Sequence, residues 1–314
     1  MIKNIAVIGG GTMGHGVAET FAMYGFPVNL YSRNEKTRIT ANEHIKSELQ
    51  FAAKNGLIKK SEVEGIINNI YFTGDLKEAV QNADYVIECT SEVLELKQNI
   101  FKEIDLYCKK ETIFATNTSS LALNEIIKVL PEERQKKCMV CHWYNPAHLM
   151  PIAELSYFGN MDEDTYKEVE ELYNKAGKQT VRVLKDVPGL VANRIQQGVA
   201  REVFSLIEEG IAEPVDIDKA LKFGPAFRYA TTGQLEVADM GGLDIWCTVG
   251  DNLLSVMDNR KEANPILREK VAEGKLGLKS GEGFFKYSSD EKATEMKNEF
   301  NKRLIIQLKT SKNY

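Results

Sequence analysis

The residues from Ile2 to Ile8 run straight into Gly9-Gly10-Gly11-Thr12-Met13-Gly14. The run is apolar apart from Lys3 and Asn4, as expected of a short strand buried on both faces. From Thr12 to Tyr24 the pattern reads as a helix. Glycines 9, 11 and 14 fit Gly-x-Gly-x-x-Gly, and each answers a separate steric demand. The first permits the tight turn, the second lets backbone approach a pyrophosphate, and the third allows close packing of helix on strand. The helix start then offers N–H donors and a positive dipole end to phosphate. A strand before and a helix after give the loop the context that a dinucleotide site requires.

The rest of the chain extends that beginning. Strands are expected at 27–31, 70–73, 84–88, 112–115, 138–142 and 151–155. A long helix from Glu35 to Asn55, a shorter one from Ser61 to Asn68, and further helical patterns lie between most of them. Such alternation predicts an α/β fold, a Rossmann-type doubly wound and mostly parallel sheet. The pattern changes at Asp186-Val187-Pro188-Gly189, where a Pro-Gly pair breaks the chain. Beyond it Ile195, Val199, Val203, Leu206 and Ile207 fall on one helical face, and Met296, Phe300, Leu304 and Leu308 recur every four residues. We expect a dinucleotide-binding domain over 1–187 and a smaller all-helical domain over 188–314.

At 314 residues the chain fits two domains better than one. A net charge of −5 offers no basic surface, so nucleic acid is not an expected partner. No apolar run approaches the roughly 18 residues of a membrane span, so no membrane association is expected. The strand beginning at Ile2 leaves no room for a signal peptide. Five cysteines, few and odd in number, suit a reducing cytoplasm. Cys138 and Cys141 have CxxC spacing but no second ligand pair, and they read as part of a buried strand. His15 and His44 on helices and His148 in a loop suggest no metal site.

A second device follows the first. His142-Trp143-Tyr144-Asn145-Pro146 is followed by Glu154, twelve residues after the histidine. Imidazole titrates near neutrality, and a carboxylate can fix its tautomer and orientation. Such a pair removes a proton from an alcohol while a nicotinamide takes the hydride. The cofactor is NADP or NAD. A carboxylate that would bond the ribose 2′-hydroxyl is expected after the second strand, but Ser32-Arg33 stands there. Arg33 would pair with a 2′-phosphate, which tilts the reading toward NADP.

Taken in order, these motifs resemble the L-3-hydroxyacyl-CoA dehydrogenase family over nearly the whole chain. The anchors are Gly9-x-Gly11-x-Met13-Gly14, Ile87-Glu88 with Glu92 and Lys97, and Ala115-Thr116-Asn117-Thr118-Ser119-Ser120-Leu121. His142-x-x-Asn145-Pro146 with Glu154, Val191-Ala192-Asn193-Arg194, Gly241-Gly242-Leu243-Asp244 and Lys275 to Phe285 complete the set. The resemblance implies His142 as general base and Glu154 as its orienting carboxylate. It implies Ser119 and Asn193 on the substrate oxygens. Glu92, Lys97 and Asn145 match positions around the ribose and nicotinamide. A helical C-terminal domain, a homodimer and a place in fatty acid metabolism are implied as well.

Departures from the family leave the substrate open. Acyl-CoA members usually read Phe-Phe where this chain has Trp143-Tyr144, and lysine where it has Pro151. At positions that face the CoA nucleotide in those members, an ungapped reading places Glu48 and Asn55, with Lys46, Lys54, Lys59 and Lys60 nearby. Gly224-Pro225-Ala226-Phe227-Arg228-Tyr229-Ala230 resembles instead the branch with L-gulonate 3-dehydrogenase and lambda-crystallin, and more distantly carnitine dehydrogenase. There Arg228 would grip a free carboxylate. The first expectation is a short substrate of the 3-hydroxybutyryl-CoA type. The alternatives are a free 3-hydroxy acid held by Arg228, or a non-catalytic nucleotide-binding structural protein.

Overall fold

The computed structural model describes residues 1–287 and 289–313; Ser288 and Tyr314 lie outside the described residues. The chain divides into two compact units, Met1–Val191 and Ala192–Tyr314. The division falls two residues beyond Pro188-Gly189.

The first unit is built on one eight-stranded sheet. Its strands are β1 (Ile5–Ile8), β2 (Val28–Tyr31), β3 (Ile70–Thr73), β4 (Tyr85–Glu88), β5 (Ile113–Thr116), β6 (Cys138–Trp143), β7 (Ile152–Ser156) and β8 (Gln179–Val183). They lie in the order β3-β2-β1-β4-β5-β6-β7-β8. All neighbours pair in parallel except β6 and β7. The order reverses between β1 and β4, and in sheets of this kind ligands bind beyond the strand ends at that switch point.

Strand periodicity divides the core into two layers. Along β1, Ile5 and Val7 pack with Val17, Phe21, Leu30, Ile45 and Trp143 on one side of the sheet. Ala6 and Ile8 pack with Leu76, Val86, Phe101, Phe114 and Ile126 on the other. Both faces are covered, which is why β1 reads as a continuous apolar run, and β4 and β5 do so up to Glu88 and Thr116 at their ends. Each fully buried aliphatic or aromatic side chain contributes on the order of 1.5–3 kcal/mol. Helix α1 (Gly14–Met23) is buried from Gly14 through Ala22. Helix α2 (Glu35–Lys54) buries only Ala41, Ile45, Leu49 and Ala52, the single-faced spacing of a surface helix. It starts where the Asn34 side chain accepts the Thr37 N–H.

Cys138 and Cys141 are buried within β6, and burial pushes the Cys141 thiol up to about 12. The eighth strand was not expected. It lies at a sheet edge, where exposed residues such as Gln179 and Arg182 interrupt any apolar pattern. Arg182 stacks over Tyr157 and Tyr166 at 3.9 and 4.5 Å and pairs with Glu163.

The second unit is helical. It comprises Ala192–Glu208, Pro214–Phe223, Pro225–Tyr229, Gln234–Gly241, Leu243–Leu253, Pro265–Ala272 and Asp290–Thr310, with only isolated bridges near Glu282 among its described residues. Phe204 stacks on Phe284 at 5.5 Å, and Arg260 pairs with Glu208 and Asp258. Among the described residues, no helix of either unit is long and apolar enough to cross a membrane.

Candidate active site

The glycine loop joins β1 to α1. Gly9 has φ 107°, and a Cβ there would stand 2.8 Å from the Cys89 carbonyl oxygen. A Cβ at Gly14 would fall 1.7 Å from the Gly9 carbonyl oxygen, so neither position admits a side chain. Gly11 differs: no heavy atom lies within 4 Å of where its Cβ would be, so the backbone borders open space. Half-buried Met13 caps α1 without a side-chain hydrogen bond. The His15 N–H donates to the Gly11 carbonyl at 3.3 Å, and with no side-chain cap the helix start and the glycine loop together fit a pyrophosphate. At the end of β2, Ser32 is half-buried and Arg33 exposed. Arg38 Nη1 donates to the Ser32 carbonyl at 2.6 Å and fixes the backbone there.

The candidate base, His142, lies on the antiparallel pair. His142 on β6 is directly opposite Glu154 on β7. Directly opposed residues project on the same face of a sheet. His142 Nδ1 meets Glu154 Oε2 at 2.8 Å, and Oε1 accepts the Val191 N–H at 2.8 Å. Glu154 is wholly buried and both its oxygens are engaged. The imidazole is therefore held by one nitrogen, and Nε2 is the atom left to exchange a proton. The main chain beside it is fixed by Asn117, whose Oδ1 accepts the Trp143 N–H at 2.8 Å. The Tyr144 ring stands edge-on to the imidazole at 5.6 Å, and its buried hydroxyl has no hydrogen-bond partner.

Ser119 lies in the turn after β5. Glu92 Oε1 accepts from Thr118 Oγ1 at 2.5 Å, from the Ser119 and Ser120 N–H groups at 3.0 and 3.1 Å, and from Ser120 Oγ at 3.0 Å. The Ser119 hydroxyl makes no hydrogen bond among the described residues and caps no helix. Glu92 is thereby engaged in shaping this turn. Burial opposes its charge, but the Thr118 hydroxyl, the Lys97 charge and the Ser120 hydroxyl hold its carboxyl below the usual range. Lys97 is 1% exposed; its Nζ contacts Glu88 at 3.0 and 2.8 Å and Glu92 at 3.4 Å. Thr116 Oγ1 also donates to Glu88, at 2.7 Å. Lys97 therefore bears on the site through Glu92.

Asn145 is exposed at the cis Asn145–Pro146 bond that begins the loop after β6. In the second unit, Asn193 is half-buried in the first turn of Ala192–Glu208, and Arg228 is exposed on Pro225–Tyr229. The sequence reading did not single out Asn117, Glu88 or the Tyr144 hydroxyl as site groups. Asn117 and Glu88 lie within the quoted motifs, but their partners are visible only in three dimensions.

Comparison with known proteins gives the same frame. The model of the 3-hydroxyacyl-CoA dehydrogenase NAD binding domain matches residues 4–187, and that of the family's C-terminal domain matches 189–287. The chain is 33% identical to a 5-formyl-3-hydroxy-2-methylpyridine 4-carboxylate 5-dehydrogenase of Mesorhizobium japonicum over 295 residues, 93% of each chain. It is 36% identical over 287 residues to a probable 3-hydroxybutyryl-CoA dehydrogenase of Bacillus subtilis, covering 91% of this chain and 98% of the relative. A crystal structure of a 5-formyl-3-hydroxy-2-methylpyridine 4-carboxylic acid 5-dehydrogenase, described as an NAD+ dependent dismutase, superposes with a TM-score of 0.89 at 31% identity. The match covers 98% of this chain and 97% of that one. Matched through both of its units, this chain belongs to the 3-hydroxyacyl-CoA dehydrogenase family of NAD-dependent oxidoreductases.

Proposed function

We propose that the chain interconverts an L-3-hydroxyacyl group and its 3-keto form, with a short CoA thioester of the 3-hydroxybutyryl type as substrate. The 2.8 Å contact between His142 Nδ1 and Glu154 Oε2 carries this reading. In oxidation His142 Nε2 takes the hydroxyl proton as the C3–H bond gives up its hydride, and the C–O bond becomes a carbonyl. Bound nicotinamide supplies the hydride acceptor, or the donor in reduction. Glu154 stabilises the imidazolium that forms. Ser119 would bond the developing oxyanion with its uncommitted hydroxyl, and the family resemblance gives Asn193 a substrate-binding role. Gly9, Gly11, Met13, Gly14, Ser32, Glu92 and Asn145 would line the dinucleotide, with Lys97 steadying Glu92.

Two finer points belong to the same proposal. No carboxylate stands at Ser32-Arg33-Asn34, which supports use of NADP(H) alongside NAD(H). A homodimer is supported by Leu243–Leu253, a helix with no buried residue, whose Leu243, Ile245 and Leu253 are at least half exposed. All five cysteines are free thiols, which supports a reducing compartment.

A free hydroxy acid is the second reading. Arg228 is exposed and forms no ion pair among the described residues, so its guanidinium is available to a carboxylate. The Mesorhizobium relative is named for a pyridine carboxylate. The test is reduction of acetoacetyl-CoA against acetoacetate by the purified protein, with NADH and with NADPH. Turnover of the thioester alone supports the first reading. Turnover of the acid, lost in Arg228→Ala, replaces it with the second.

A further inference from the structure

The chain has four histidines, and three of them gather away from the His142–Glu154 pair. His15 and His44 bring their rings to 5.2 Å between α1 and α2. His15 Nε2 lies 3.3 Å from Glu48 Oε2, and His148 Nδ1 lies 3.7 Å from the same oxygen. Glu19, one turn after His15 on α1, completes the group. One ligand atom each from Glu19, Glu48 and His148 lies within 4.8 Å of the other two.

An acidic cluster at a surface would be unremarkable, because water would solvate it. This one is enclosed. Glu19 is 0% exposed, and no N–H or hydroxyl of the described residues donates to its carboxyl oxygens, which face the Glu48 carboxyl. Glu48 Oε2 is buried as well, with His15 Nε2 and His148 Nδ1 as its neighbours at 3.3 and 3.7 Å. The His148 side chain is 6% exposed. Burying a carboxyl without a partner costs several kcal/mol unless something in the site compensates. Lys178 does not fill this role by contact. Its Nζ donates to the Ala147 and Met150 carbonyls at 2.6 and 2.8 Å and lies 4.4 Å above the Trp143 ring.

We propose that Glu19, Glu48 and His148 bind one divalent transition-metal cation, with His15 orienting Glu48. Two carboxylate oxygens and one imidazole nitrogen suit zinc or a neighbouring first-row ion, and water can complete the shell. His15 is fitted to the supporting role. Its Nδ1 is 2.8 Å from the Gly11 carbonyl, while its Nε2 faces Glu48. Supporting contacts of this kind set ligand orientation in metal sites. A cation would join α1, α2 and the loop after β6, the three segments that carry the ligands.

The test is titration of the full-length protein, freed of metal by chelator, with zinc chloride in a calorimeter. We expect one saturable site per chain and a higher thermal unfolding midpoint with zinc than without. Affinity should fall at least about tenfold in Glu19→Gln and in His148→Ala. It should be retained in His142→Ala and Cys247→Ser, which removes the base pair and the exposed thiol as the origin of binding. X-ray absorption at the zinc edge should show nitrogen and oxygen neighbours without sulfur. Should Glu19→Gln fail to fold, His148→Ala on the loop carries the same comparison. Absence of a saturable site, sulfur in the coordination shell, or unchanged affinity in the soluble cluster variants overturns the proposal.

Discussion

His142 and Glu154 occupy directly opposed positions on the antiparallel strands β6 and β7, with Nδ1 and Oε2 at 2.8 Å. Sheet register sets this contact. Glu154 is further tied by the Val191 N–H, so the imidazole is oriented before substrate arrives. Glu154→Gln should keep the shape and lose the charge that stabilises an imidazolium. We expect kcat to fall by about 10²–10⁴-fold with KM little changed. Steady-state kinetics, with NADH affinity by fluorescence as the control, decide it. A kcat within threefold of wild type would remove Glu154 from the mechanism.

Lys97 and Glu88 form a second pair, both nearly inaccessible to solvent. Deleting one partner leaves the other buried and unmatched, so Lys97→Met should cost about 3–5 kcal/mol of stability. The double variant Glu88→Gln, Lys97→Met removes both charges and should regain part of the loss. Urea denaturation of the double variant and of each single variant, Glu88→Gln and Lys97→Met, measures the difference. If the double variant is the less stable by the sum of both single losses, the charges are not coupled.

Glu92 links ionisation to the turn that carries Ser119. Its folded pKa is depressed, so it contributes stability fully above its ordinary value of 4.5. That contribution is lost as pH falls through the lower folded value. Acidification should therefore loosen the 118–120 turn, and the melting temperature should fall more steeply with pH in wild type than in Glu92→Gln. Parallel slopes for the two proteins below pH 4.5 would show that Glu92 does not control the turn.

Where one local pattern decides the structure, the sequence revealed it. The glycine loop depends only on neighbouring backbone, and β1, with β4 and β5 up to their last residues, is apolar because both sheet faces are covered. His142 and Glu154 were legible because a hairpin separation of twelve residues returns the chain beside itself. β8 was missed because an edge strand has no such constraint on its composition. Lys97 shows a different limit. Sequence resemblance places it near the ribose, but its burial against Glu88 depends on how Leu94–Asp105 packs. The histidine cluster left only a weak trace, His15-Glu19 and His44-Glu48 at one-turn spacing on two helices. Its third arm, His148, comes from a loop a hundred residues after Glu48, and no local pattern announces that meeting.

Tyr144 presents a hydroxyl with no partner, its ring against that of His142. Burial, and then the Glu154 charge, raise its pKa, so it remains a neutral donor. An unmatched buried hydroxyl costs stability of about 1–3 kcal/mol, and a substrate oxygen that accepts from it would recover that cost on binding. Tyr144→Phe should therefore melt at or above the wild-type temperature while kcat/KM falls by roughly tenfold, mostly through KM, for the loss of about 1.4 kcal/mol. The opposite behaviour, a lower melting temperature with unchanged kcat/KM, would make the hydroxyl part of the fold and leave substrate recognition to Ser119 and its neighbours.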